Sequence, residues 1–143
     1  MPHHTHGNHV RDAMTARPRT LPPDATAHDA ARLMRDEAVG SLPIVEGDRL
    51  VGTVTDRDLV VRVVAEGREP RSTAVRDIAS TELVTIDPDQ GLDEALRLMA
   101  QHQVRRLPVV EEDGRLVGIV AQADVAQDAE PARVGETVEE ISQ

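Results

Sequence analysis

The 143-residue sequence contains no cysteine, no phenylalanine, tyrosine or tryptophan, and no lysine, so that all 16 basic residues are arginine. Each absence removes a class of chemistry. Without cysteine there is no disulfide framework, thiol nucleophile, iron–sulfur cluster or cysteine zinc site. Without lysine there is neither a Walker-type phosphate lysine nor a Schiff base. Without aromatic rings, the stacking platforms that hold single-stranded nucleic acid cannot be built. No apolar run approaches the roughly 18 residues of a membrane span, and the opening MPHHTHGNHVRDAM lacks the apolar stretch of a signal peptide. A cytoplasmic protein without a membrane partner is expected.

What is present fits one compact unit or two very small ones, with 39% hydrophobic and 29% charged residues. The 26 acidic residues outweigh the arginines and leave a net charge of −10, which repels a polyphosphate backbone. Nucleic acid is therefore not an expected partner. A few arginines gathered in one cleft can still hold a single small anion whatever the net charge.

The chain repeats itself. At an offset of 65, the same residue recurs at 15 of the 37 paired positions between Val10 and Glu46, among them Val10/Val75, Thr20/Thr85, Met34/Met99 and Pro43/Pro108. One extra residue in the second copy of a turn, EEDGRLVG against EGDRLVG, moves the offset to 66, after which Gly52 and Asp58 recur as Gly118 and Asp124. The expected organisation is a tail at 1–9, a first unit at 10–66, a linker at 67–74, a second unit at 75–127, and an acidic tail at 128–143. Each unit alone would be marginal, so the two are expected to pack together.

Each unit reads as short strand, helix, strand, strand, helix. In the first, Arg19 to Leu21 is extended, and a helix from about Thr26 to Glu37 opens on Thr26-x-x-Asp29 with Ala27, Ala30, Leu33 and Met34 on one face. Leu42 to Val45 and Leu50 to Val54 form a hairpin around a polar turn. A second helix starts at Asp56, buries Leu59, Val60, Val63 and Val64, and stops near Gly67. The second unit copies this with a helix at about Leu92 to His102, a hairpin from Leu107 to Val120 and a helix from Gln122. At the N-terminus, His3, His4, His6 and His9 read as a floppy tail rather than a metal site. At the other end, Val134, Val138 and Ile141 share a helical spacing behind Thr137-x-x-Glu140.

The chemistry, if any, gathers at Gly52-Thr53-Val54-Thr55-Asp56-Arg57-Asp58, where a strand feeds a helix. Thr55 and Asp58 have the spacing of a helix-capping box. The same geometry presents free backbone N–H groups and the positive helix end to an anion, with a Thr hydroxyl for phosphate and an acceptor-only Asp for ribose hydroxyls. The second copy, Gly118-Ile119-Val120-Ala121-Gln122-Ala123-Asp124, keeps the Asp but has Ala where the Thr stands.

The doubled pattern V-R-D, T-x-x-P-D, helix, L-P-I/V-V, turn, L-V-G-x-V resembles a pair of cystathionine-beta-synthase (CBS) domains, a Bateman module, over about Val10 to Gln127. The resemblance implies an α/β (α+β) fold of two βαββα units packed sheet to sheet about a pseudo-two-fold axis, with adenosyl ligands in clefts between them. Carried over by position, it implies ligand contacts at Thr20, Leu42, Ile44, Thr55, Asp58, Arg105 and Arg106. A weaker second site falls on Thr85, Val109 and Asp124. Leu42, Ile44 and Val109 belong to segments whose backbone meets the purine edge, and one of the adjacent Arg105 and Arg106 faces the phosphate. The family is chiefly regulatory, so the resemblance implies no catalytic residue, no metal and no required cofactor. It implies an adenine nucleotide as ligand, a homodimer, and an effector protein of unknown identity.

Three readings follow. The first is a module that senses an adenosyl ligand of the AMP, ADP or ATP type and signals to a partner. The second is a ligand-independent dimeric interaction or scaffold protein with decayed sites. The third, an enzyme such as a nucleotide hydrolase, is opposed by the missing nucleophiles and by the isolation of His28 and His102.

Overall fold

The computed structural model describes residues 8–128. The expected tail histidines His3, His4 and His6 and the closing helix around Val134, Val138 and Ile141 lie outside the described residues. The elements are α1 (Val10–Ala13), β1 (Thr15–Ala16), α2 (Ala27–Glu37), β2 (Ser41–Glu46), β3 (Arg49–Thr55), α3 (Asp56–Leu59), α4 (Leu92–His102), β4 (Arg106–Val110), β5 (Leu116–Ala121) and α5 (Gln122–Asp128). A π turn, Val60–Val64, continues α3, and two 3-10 turns lie at Pro70–Ser72 and Val75–Asp77. This is the expected mixed α/β content, in small antiparallel sheets with helices. No described helix is long and apolar enough to cross a membrane.

Helix α2 begins as the sequence indicates. The Thr26 hydroxyl accepts from the Asp29 N–H at 3.0 Å, and the Asp29 carboxylate accepts from the Thr26 N–H at 3.1 Å. Ala27, Ala30 and Met34 are buried on one face. Helices α2 and α4 both close on a left-handed residue, Ala38 and Gln103, at the same place in the two repeats. The expected strand at Arg19 to Leu21 reduces to a single parallel bridge, Leu21 to Ile44, copied by Ile86 to Val109.

The chain divides into two compact units whose boundaries differ from those of the sequence repeat. One holds Arg19–Leu83 with Gly114–Leu116; the other holds, of the described residues, 8–18, 84–113 and 117–128. The start of each repeat is thus exchanged. Val10, fully buried, belongs to the core with Leu92, Met99, Leu107 and Val120. Its copy Val75, also fully buried, belongs to the core with Ala30, Ile44 and Val54. The hydrogen bonds repeat in register. Val10 N–H donates to Gln90 O at 2.8 Å, and Val75 N–H to Ala25 O at 2.8 Å; Arg11 N–H donates to Pro88 O, and Arg76 N–H to Pro23 O. Thr15 pairs with Ile119 in a three-stranded sheet ordered β1-β5-β4, and Ser80 pairs with Thr53 beside the β2-β3 hairpin. Each exchanged valine contributes roughly 1.5–3 kcal/mol to the core it enters.

The glycine of each L-V-G is explained by this exchange. A Cβ on Gly118 would lie 2.7 Å from Met14 Sδ and 2.9 Å from Thr15 O, and one on Gly52 would lie 3.2 Å from Ser80 O. The incoming segment passes too close for a side chain. The tip of the second hairpin is also annexed: Leu116 N–H donates to Asp48 O at 2.9 Å and Leu50 N–H to Gly114 O at 3.1 Å.

One packing expectation is corrected. Of Leu59, Val60, Val63 and Val64, only Val63 is fully buried and Leu59 is half-buried, while Val60 and Val64 are 59% and 70% exposed. The π turn, closed by Ala65 N–H donating to Val60 O, turns the run so that one narrow stripe reaches the core.

Candidate functional site

The β3–α3 junction places Thr55 and Asp58 side by side. Thr55 Oγ1 accepts from the Asp58 N–H at 3.0 Å, and Asp58 Oδ2 accepts from the Thr55 N–H at 2.9 Å, so the capping box is closed in both directions. The Thr55 hydroxyl hydrogen is donated to no acceptor among the described residues. Asp58 keeps its second carboxylate oxygen, with Arg62 Nε 3.9 Å away, and its side chain is 15% exposed.

The expectation of free backbone donors at this helix start is overturned. Asp56 N–H donates to Gly40 O at 2.9 Å, Arg57 N–H to Asp56 Oδ1 at 2.8 Å, and Asp58 N–H to Thr55 Oγ1. All three donors are satisfied within the protein, by the Gly40 carbonyl, the Asp56 carboxylate and the Thr55 hydroxyl. An anionic group at this junction must therefore be met by side chains, the Thr55 hydroxyl and nearby arginines, rather than by the main chain.

The other expected residues of this unit are spread along it. Thr20 is half-buried ahead of Leu21. Leu42 and Ile44 point into the core, as does Val109 in the other unit, so these three offer a ligand only backbone. Thr85 is half-buried. Arg105 and Arg106 are both exposed, and neither has an ion-pair partner among the described residues. The Arg105 main chain is structural: its carbonyl accepts from the Gln122 N–H at 2.7 Å, as Gly40 O does for Asp56.

The copied junction at β5–α5 is plainer. Ala121 has no hydroxyl to cap the helix, and the half-buried Asp124 carboxylate makes no hydrogen bond or ion pair among the described residues. The shifted carboxylates lie elsewhere. Asp29 is held below its usual range, chiefly by the Thr26 N–H, and Glu94 by its hydrogen bond from Arg97. Among the described residues no group of three or more His, Asp or Glu side chains could hold a metal ion.

Two tandem α/β units, each closing a hairpin into a helix, define a paired-module fold. The CBS domain family model matches residues 10–65 and 75–129, and the chain belongs to that family. It is 47% identical over 117 residues to the CBS domain-containing protein YhcV of Bacillus subtilis, covering 82% of each chain. It is 40% identical over 119 residues to Hypoxic response protein 1 of Mycobacterium tuberculosis, again covering 82% of each. The crystal structure of Hypoxic Response Protein I with two coordinated zinc ions superposes with a TM-score of 0.76 at 38% identity, over 85% of this chain and 98% of that one. The structure of CBSX2 in complex with AMP superposes with a TM-score of 0.73 at 27% identity, over 92% and 98%. None of these names carries an enzyme activity.

Proposed function

We propose that this CBS pair is a regulatory module that binds an adenine nucleotide at the Thr55–Asp58 junction and relays its occupancy to a partner protein. The observation that carries the reading is the state of the two side chains. The capping box consumes one face of each and leaves a hydroxyl donor on Thr55 and a carboxylate oxygen on Asp58, the groups that suit a phosphate and a ribose. The AMP complex of the similar CBSX2 supports the ligand class. Arg105 and Arg106, without ion-pair partners among the described residues, are the candidate phosphate cations; Thr20 and the backbone at Leu42 and Ile44 complete the proposed set. Because Ala121 has no hydroxyl, the set at Thr85, Val109 and Asp124 binds more weakly, and one dominant site per chain is expected.

Calorimetry with AMP tests this. Asp58→Ala should weaken binding at least about tenfold, since charge-assisted hydrogen bonds are worth roughly 1.5–3 kcal/mol each, while Asp124→Ala should leave the dominant site unchanged. Two equal sites, or unchanged affinity in Asp58→Ala, would overturn it.

A second reading, a dimeric scaffold needing no ligand, draws on the exposed Val60 and Val64. Light scattering at about twice 15.6 kDa together with no heat from AMP, ADP, ATP or S-adenosylmethionine would favour it; a monomer at tens of micromolar would remove it.

A further inference from the structure

The unit that holds Arg19–Leu83 contains a cleft of about 440 Å³ whose lining includes neither Thr55 nor Asp58. It lies between the β2–β3 hairpin and the exchanged segment after Val75. Its lining is apolar at Pro23, Ile44, Val51, Gly52 and Ala79 and charged at Arg76 and Glu46. The volume falls within the roughly 300–1,000 Å³ of small-molecule pockets.

The repeat itself provides the control that makes Arg76 informative. Its copy Arg11 is bound by the Asp89 carboxylate in the other unit. Asp24 occupies the place of Asp89 here, yet neither it nor Arg76 has an ion-pair partner among the described residues. The Arg76 backbone is nevertheless anchored, by its N–H to Pro23 O at 3.2 Å and by fully buried Val75 beside it. An anchored arginine without an ion-pair partner, lining a largely apolar cleft, has the elements of an anion site with an aliphatic lining. Glu46 in the same lining repels a second negative charge, which selects against phosphate dianions.

We propose that this cleft is a ligand site in its own right, for a small monoanion on a short branched aliphatic body, with the anionic group on Arg76 and the body on Pro23, Val51 and Ala79. It goes beyond the nucleotide reading: the two sets share Ile44 but no charged residue, so a change at Asp58 or at Arg76 tells them apart.

The test is methyl-resolved NMR on the full chain labelled at isoleucine and valine methyls, titrated with 4-methylpentanoate and with its neutral amide, 4-methylpentanamide. Saturable shifts are expected at Val51 with the acid, and weaker binding with the amide. Arg76→Gln should weaken the acid about tenfold or more, whereas Arg11→Gln should not change it. Arg76 is exposed, so its replacement leaves the fold intact, and unchanged Ile78 resonances check this. Binding of the acid in Asp58→Ala equal to that of the unmodified chain would separate this site from the nucleotide site. No saturable shift at Val51 below about 10 mM, equal binding of acid and amide, or shifts as large at Ile119 as at Val51 would each overturn the proposal.

Discussion

The β3–α3 and β5–α5 junctions descend from one repeated pattern, and they have diverged in chemistry while keeping their backbone. In both, the first helical N–H reaches back to the residue before or at the start of the paired strand, Asp56 to Gly40 and Gln122 to Arg105. Only the first has a threonine cap and two aspartates; the second has Ala121 and a lone Asp124. Backbone hydrogen bonds hold the fold and so persist under any side chain, whereas side-chain donors and acceptors are free to be lost from one copy. The same division separates Arg11, tied to Asp89, from Arg76, tied to no carboxylate among the described residues. Equivalent position therefore does not imply equivalent chemistry.

The largest expected effect breaks the exchange of repeat starts. Val10→Asp should destabilise by at least about 3 kcal/mol, the scale for an unpaired charge in a core, and hydrogen exchange should rise first in β4 and β5. Val75→Asp should do the same in β2 and β3. If Val10→Asp loosened β2 and β3 first, each repeat start would belong to its own repeat and the exchange would be wrong.

Next comes the close approach over the two glycines. Gly118→Ala meets a backbone oxygen at 2.9 Å and Gly52→Ala one at 3.2 Å. The first should cost about 1–3 kcal/mol and the second less, read as urea midpoints at constant slope. Equal costs would show that the first segment moves aside freely.

Capping sharpens the contrast between the junctions. Thr55→Ala should lose about 1 kcal/mol and Ala121→Thr should gain up to that amount, measured by thermal melting without ligand. A loss in Ala121→Thr would mean that the second helix start lacks the geometry its backbone indicates.

The smallest effect concerns acid. The Asp29 carboxyl sits below its usual 3.8 because the Thr26 N–H and hydroxyl engage it. A depressed folded value adds stability above the unfolded value, and that stability is lost as pH falls through the folded one. Asp29→Asn should therefore flatten the acid side of the stability curve below about pH 4. The copied position, Glu94, takes its hydrogen bond from Arg97 instead of from the cap, so Glu94→Gln should flatten it too, and salt should erase that effect more readily. Identical salt responses would count against different origins.

Much of the fold was legible in local patterns. The limits of α4 and the starts of α3 and α5 fall where the spacing and breakers put them, because helix caps and apolar periodicity act over a few residues. At the candidate site, the Thr55–Asp58 box was legible for the same reason. The satisfied donors of Asp56 and Arg57 were not, since one acceptor, Gly40 O, is 16 residues away and the other is a rotamer of Asp56.

The sequence by itself determined that there are two copies of one unit, where α2, α4 and the two hairpins lie, and that the copies differ at Ala121. Only the tertiary structure decided which core each repeat start completes, that Val60 and Val64 stay outside, and that Arg76 is left without the carboxylate its copy holds. The reason is physical: Val10 and Val75 are the same residue in the same local pattern, and burial is indifferent to which core supplies it. That choice rests on the long-range packing of segments such as Val10 against Leu92 and Leu107, which no local spacing records.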